Sequence, residues 1–175
     1  FCILDCFNIF THTFKQYINM ELLIKFLPAF GVLALLFGFY SLGKYKFIKY
    51  ENFSGKFYLL ITLIVAGTSL LIYNQGGFGP AHAMGVLAIG AVLVGIFAEK
   101  TEVFRSFSKY IETLSYSSTF LFHLVPATFD GLRRLPTDNP IVKELDDPIL
   151  LNSILAVFLI YLLLLASQFY ILYKK

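Results

Sequence analysis

Four long apolar stretches without a charged residue limit what this chain can fold into. They contain 17 to 25 residues each and make up almost half of the sequence. A helix needs about 20 apolar residues to cross the hydrocarbon core of a bilayer, with about 17 as the lower limit. We therefore expect each stretch to form a membrane-spanning helix. The stretches are residues 26–43, 57–73, 81–98 and 149–173.

The composition indicates the same class of protein. Hydrophobic residues make up 58% of the 175 residues, charged residues only 14%, and the mean hydropathy is +0.74. Because a soluble domain has about 25% charged residues, this composition excludes a soluble globule, a disordered chain and a nucleic-acid-binding domain. The lipid bilayer is therefore the expected partner, and no nucleic-acid partner is expected.

The distribution of positive charge predicts a fifth helix. Lys and Arg accumulate in cytoplasmic loops. The loop after the first stretch has four lysines and one glutamate, whereas residues 74–80 have no charge. The third loop and the C-terminus are again basic, so an even number of crossings must separate them. Residues 107–126, although more polar, are therefore predicted to cross as well. The expected fold is all-α, a polytopic bundle of five transmembrane helices with the N-terminus out and the C-terminus in.

The predicted helices form a single transmembrane domain over residues 20–175. Residues 1–19 are expected to be upstream read-through or a disordered leader, because the chain starts with Phe1 and Met20 directly precedes a hydrophobic stretch. A cleavable signal peptide is the alternative for the first helix, but it would need a better small-residue cleavage site. The predicted helices are 24–43, 56–73, 80–98, 107–126 and 149–173, and residues 127–148, with three prolines, are expected to form an external loop.

The predicted fourth helix has a polar stripe. Lys109, Glu112, Tyr116, Thr119 and His123 follow one another at intervals of three and four, which places them on one helical face. Such a face must point into the bundle or into a water-filled cavity. Two interpretations are open: hydrogen bonds between helices, or a ligand-binding wall or proton relay formed by the last four of these residues.

Two histidines are a second candidate site. His82 begins the third helix, and His123 lies towards the end of the fourth, so both are expected near the outer surface at one depth. Histidines on adjacent helices could hold haem b or a metal. The alternative is that both bond to backbone or water. A third ligand is not apparent, although a catalytic zinc site normally has three.

Two further features suggest packing and anion contact. The third helix is rich in small residues, including Gly85, Ala88 and Gly95, which predicts close helix packing and a central position for this helix. Arg133 and Arg134 are candidates for contacting an anionic group. An ion pair within the chain, with Asp130, is the favoured alternative.

Two short motifs resemble a known family. The segments GKFY at 55–58 and GFGPAH at 77–82 are separated by one apolar helix and followed by another and a basic turn. This arrangement resembles the bacterial predicted membrane proteins termed domain of unknown function 2306, over roughly residues 48–110. The resemblance implies an uncharacterised integral protein of the bacterial inner membrane and no particular reaction. The family's His-Arg pair before the second helix is replaced here by Glu51-Asn52, and its His-Arg cluster after the third helix has no histidine here. Among the family's histidines, only the one at the position of His82 is present in this chain.

Three functional hypotheses are consistent with these features. The first is a non-enzymatic membrane protein, either a small-ligand-binding module or an accessory subunit of a membrane partner. The second is a haem-b redox protein with His82 and His123 as ligands. The third is a proton-coupled transporter using Glu112 and His123, which would need a homo-oligomer because five helices are few. An enzyme is less expected, since the sequence has no P-loop, H-E-x-x-H, G-x-S-x-G or CxxC motif.

Overall fold

The computed structural model describes residues 20–71, 80–101 and 104–174, and within these ranges the fold is all-α without strands. The described ranges contain five helices, in agreement with the predicted number and class. The predicted leader, residues 1–19, lies outside the described residues. The helices are α1 (Met20–Tyr45), α2 (Phe53–Leu71), α3 (Pro80–Thr101), α4 (Ser108–Arg134) and α5 (Pro148–Tyr173), with a 3-10 turn at Arg105–Phe107.

Three of the helices are long and apolar enough to cross a membrane. They are α2 over Phe53–Leu70, α3 over His82–Thr101 and α5 over Pro148–Tyr173. At about 1.5 Å per residue, the 26 residues of α5 are longer than the roughly 30 Å hydrocarbon core. Only 39%, 33% and 11% of these three spans is buried inside the bundle, which suits a lipid environment and not water.

The α4 helix is longer than the sequence predicts. It continues for two turns beyond Pro126, so Asp130, Arg133 and Arg134 belong to the helix and not to the loop after it. Proline is tolerated in membrane helices because neighbouring groups bond the backbone it leaves free, and the Asp130–Arg134 pair supports the added turns. The non-helical segment is therefore only residues 135–147.

Prolines mark the starts of α3 and α5. Pro80 and Pro148 each occupy the first helical position, where the missing N–H costs no hydrogen bond. Asp147 caps α5, because its carboxylate accepts a hydrogen bond of 2.8 Å from the backbone N–H of Ile149.

The turn between α1 and α2 folds into the bundle. Phe47 and Ile48 are buried, with 6% and 2% of their surface exposed. At Gly55 a side chain would collide with the Lys49 carbonyl, so the start of α2 can lie against this turn only with glycine there. One end of the bundle contains this turn together with the end of α3, the start of α4 and the end of α5. We call it the basic end.

The central helix is α4. It packs against α1, α3 and α5 and is hydrogen-bonded to α2. The prediction of a central α3 is therefore wrong: α3 lies between α2 and α4. Its small residues do pack closely, since a side chain at Gly85 would collide with Ser69 of α2, and one at Gly95 with the Tyr116 ring of α4.

Candidate functional site

The polar stripe of α4 faces the interior of the bundle. Tyr116 and Thr119 are fully buried, Glu112 is 8% exposed and His123 is partly buried. Lys109, at the start of the stripe, is exposed. The predicted direction of the stripe is thus confirmed for four of its five residues, and these four lie on one face against α2 and α3.

The far half of the stripe is bonded to α2. The hydroxyl groups of Tyr58 and Thr119 are 2.8 Å apart, and Nε2 of His123 lies 3.0 Å from the hydroxyl of Thr62. The rings of Tyr58 and His123 also meet edge-on, with centroids 6.1 Å apart. Tyr58 and Thr62 are four residues apart on α2 and therefore share a face, so one polar face of α2 meets one polar face of α4.

The half near the basic end is bonded to α3. The Tyr116 hydroxyl donates a hydrogen bond of 2.7 Å to Oε2 of Glu99. The Tyr116 ring fills the space that Gly95 leaves open. Glu112, one turn before Tyr116, interacts electrostatically with Glu99 and Lys49. Among the described residues, no donor forms a hydrogen bond with the Glu112 carboxylate. Two carboxylates therefore lie near each other, and one of them has no hydrogen-bond donor.

Another face of α4 is bonded to α5. The hydroxyl of Ser117 donates to the Gln168 side-chain oxygen at 2.7 Å, and the Gln168 amide donates to the backbone oxygen of Lys46 at 2.8 Å. The hydroxyl groups of Ser118 and Tyr161 are 2.9 Å apart. These bonds connect α5 both to α4 and to the turn after α1.

The structure does not bring His82 and His123 together. Gly85 of α3 packs against Ala66 and Ser69 of α2, whereas His123 bonds to Thr62. Seven residues of helix, about 10 Å, separate Thr62 from Ser69, and His82 lies even farther along α3 than Gly85. This packing places His82 and His123 at different depths along the bundle, contrary to the expectation of one depth. The described residues also contain no group of three or more His, Cys, Asp or Glu side chains able to hold a metal.

The two arginines near the end of α4 have partners within the helix. Arg134 lies 3.5 Å from Asp130, and both side chains are mostly exposed. Arg133 lies over the Phe129 ring, 5.1 Å from its centre. The favoured alternative for these arginines, an ion pair with Asp130, is confirmed for Arg134.

Several residues of this polar network were not among the sequence candidates. The sequence does contain a signal for Gln168, because it is the one amide in the second half of a long apolar stretch. It also contains one for Tyr58 and Thr62, because their spacing of four residues places them on one helical face. Glu99 also had a signal, because an acidic residue ends the third uncharged stretch. Which of them meets α4 depends on how the helices are rotated, and no single-helix pattern gives that rotation.

Searches of protein-family models, curated proteins and solved structures give no match to this chain. The candidate site is therefore defined by the geometry of its own side chains.

Proposed function

We propose that the chain is a polytopic integral membrane protein in which all five helices cross the bilayer, with the N-terminus out and the C-terminus in. Three helices have the required length and apolarity. Most of the buried side chains of α4 are polar and turn towards other helices, and the side chains it leaves outward include apolar ones such as Leu114. The basic segments lie at one end of the bundle, which is the pattern of cytoplasmic loops.

Reporter fusions test this topology. A reporter that is active only outside the membrane should be active when inserted in the loop 135–147 and inactive at the C-terminus. If α4 does not cross, the two results are reversed, because α5 alone then carries the chain across. That reversal would overturn the five-span proposal and leave the helical fold untouched.

Within this topology, we propose a non-enzymatic role as a small accessory subunit in the bacterial inner membrane. The observation that supports this proposal is that polar side chains of α4 form hydrogen bonds with α2, α3 and α5. In this arrangement the polar stripe holds the bundle together. The helix α5 meanwhile presents a broad apolar surface that suits lipid or a partner membrane protein. The resemblance to the bacterial family supports the same location and stays a prediction.

Site-specific photo-crosslinking tests the accessory role. A photoreactive residue at Leu163, which is 72% exposed on α5, should yield one discrete protein adduct in intact cells. The same residue at Ser153, partly buried on the same helix, serves as the matched position and should yield much less adduct. If Leu163 captures lipid alone, the accessory proposal fails.

A second candidate is a proton-coupled role for Glu112. Ionisable residues inside a membrane are costly and often functional, and this carboxylate is 8% exposed without a described hydrogen-bond donor. In proteoliposomes, Glu112→Gln should abolish proton flux, whereas Glu144→Gln in the exposed loop should leave it unchanged. If the unaltered protein shows no flux above empty liposomes, this candidate is ruled out and the accessory role stands.

A further inference from the structure

Two lysines from different helices converge on one tyrosine at the basic end. The ammonium group of Lys56, in the first turn of α2, lies 5.4 Å from the centre of the Tyr50 ring. The ammonium group of Lys100, in the last turn of α3, lies 5.3 Å from the same ring. A tyrosine ring attracts cations through its negative face, so Tyr50 holds two like charges near each other.

Among the described residues, neither of these lysines forms an ion pair. Within the described ranges, the ion pair that the structure contains joins Asp130 and Arg134, towards the other end of α4. The carboxylate next to Lys100, that of Glu99, already accepts the Tyr116 hydroxyl. Both lysines are exposed, so their ammonium groups are available to an anion from outside the protein.

The fold holds Tyr50 in place. It comes directly after the turn that contains the buried Phe47 and Ile48, and this turn is pressed against α2 at Gly55. Tyr50 is itself partly buried. The ring therefore has a fixed position between the start of one helix and the end of another, and only the two lysine side chains need to move to meet a ligand.

The position of this cluster along the helices matches that of a lipid headgroup. Lys56 lies near the start of the candidate span Phe53–Leu70, and Lys100 lies near the end of the candidate span His82–Thr101. Lipid phosphates lie at this level, just outside the hydrocarbon core. Basic pockets between helices on the cytoplasmic side are suited to anionic headgroups, and a lipid there can also lay its acyl chains along the exposed apolar faces of α2 and α3.

We propose that Tyr50, Lys56 and Lys100 form a binding site for the headgroup of an anionic phospholipid, with the phosphate between the two ammonium groups. The assignment to the inner leaflet rests on the proposed topology. The binding itself does not, because it can be measured in detergent, where the protein has no orientation.

Lipid retention by the purified full-length chain tests the site. Protein in detergent is mixed with equal amounts of phosphatidylglycerol and phosphatidylcholine, and bound lipid is counted by native mass spectrometry. The unaltered chain should keep phosphatidylglycerol preferentially. Each lysine near an anionic headgroup strengthens binding on the order of fivefold, so the Lys56→Gln/Lys100→Gln variant should bind roughly 25-fold more weakly. Lys56→Arg/Lys100→Arg should restore binding.

The matched control removes two other lysines of the same end. Lys44 already donates a hydrogen bond of 2.9 Å to the Tyr40 hydroxyl, and Lys109 is exposed at the start of α4. The Lys44→Gln/Lys109→Gln variant has the same net charge as the test variant and should retain the lipid. If both variants lose lipid equally, general attraction to a basic surface explains the result and the site is overturned.

Competition with free phosphate distinguishes a lipid headgroup from a phosphate ion as the group that binds between the lysines. Millimolar inorganic phosphate should leave phosphatidylglycerol bound, since the acyl chains add contacts that phosphate lacks. Displacement of the lipid by phosphate would overturn the lipid proposal in favour of a phosphate-ion site. Thermal unfolding of each variant confirms that the bundle is intact, and these substitutions at exposed lysines should change its midpoint little.

Discussion

The helices α4 and α5 pack against each other and differ strongly in composition, yet both bury mainly side chains that can form hydrogen bonds. Six of the eight buried residues of α4 are serine, threonine or glutamate, whereas α5 is apolar and buries three residues. Two of those three, Tyr161 and Gln168, bond to serines of α4. Lipid tails are as apolar as leucine but offer no hydrogen bonds. Burial in these two helices therefore follows the need for hydrogen bonds, and most apolar side chains of α5 are left outside.

The largest expected effect comes from placing a charge on the exposed face of α5. Leu163→Arg puts a guanidinium near the middle of the span and should cost about 3 kcal/mol of insertion free energy. Tyr170→Arg makes a comparable change near the end of the helix, where arginine reaches the headgroups, and should cost far less. The measurement is the membrane-inserted fraction of each variant. Equal fractions would mean that this face of α5 does not meet lipid.

Closing the gap between α3 and α4 should have the next largest effect. Gly95→Val forces a side chain into the Tyr116 ring, and overpacking of this kind costs about 1–3 kcal/mol. Gly90 on the same helix has open space around it, so Gly90→Val is the matched control and should be close to neutral. Thermal unfolding in detergent compares the two, and a Gly95→Val variant as stable as the control would contradict the close contact between α3 and α4.

Removing the amide of α5 should have a smaller effect. Gln168→Leu breaks the bonds to Ser117 and to the Lys46 backbone. At an average of about 0.6 kcal/mol for each bond in a membrane, the loss of two bonds should be about 1.2 kcal/mol. Asn152→Leu on the same helix removes an exposed amide and should leave the free energy of unfolding unchanged. If the two substitutions cost the same, Gln168 does not form these bonds.

The smallest effect is the coupling across one hydrogen bond between α2 and α4. A double-mutant cycle of Tyr58→Phe and Thr119→Val should give a coupling energy of about 0.6 kcal/mol. Strict additivity of the two free-energy changes would show that their hydroxyl groups do not interact. A value well above about 2 kcal/mol, beyond the usual range for one such bond, would show that the network acts as one cooperative unit.

Much of the helical architecture could be predicted from the sequence. Uncharged stretches locate α2, α3 and α5 because a bilayer imposes a minimum length, and the spacing from Glu112 to His123 shows which face of α4 turns inward. The end of α4 was missed because Pro126 suggested an early stop, whereas a membrane helix can continue past proline.

The partners of the stripe could not be predicted. One helical face gives a direction but not the neighbour it meets, so Tyr58, Glu99 and Gln168 became identifiable only from the packed bundle. The histidines were misplaced for a different reason. His123 was expected near the outer surface because the fourth helix was predicted to end at residue 126, whereas α4 continues to Arg134 and leaves His123 about three turns from its end.

The bond between Gln168 and Lys46 has a consequence for the order of synthesis. These residues are 122 positions apart, and a ribosome adding about 5–20 residues per second takes roughly 6–25 s to cover that distance. During this interval the Lys46 carbonyl has no Gln168 to bond with, and the Ser117 hydroxyl has none from the time it is made. The nascent bundle therefore stays open along one side until its last helix emerges.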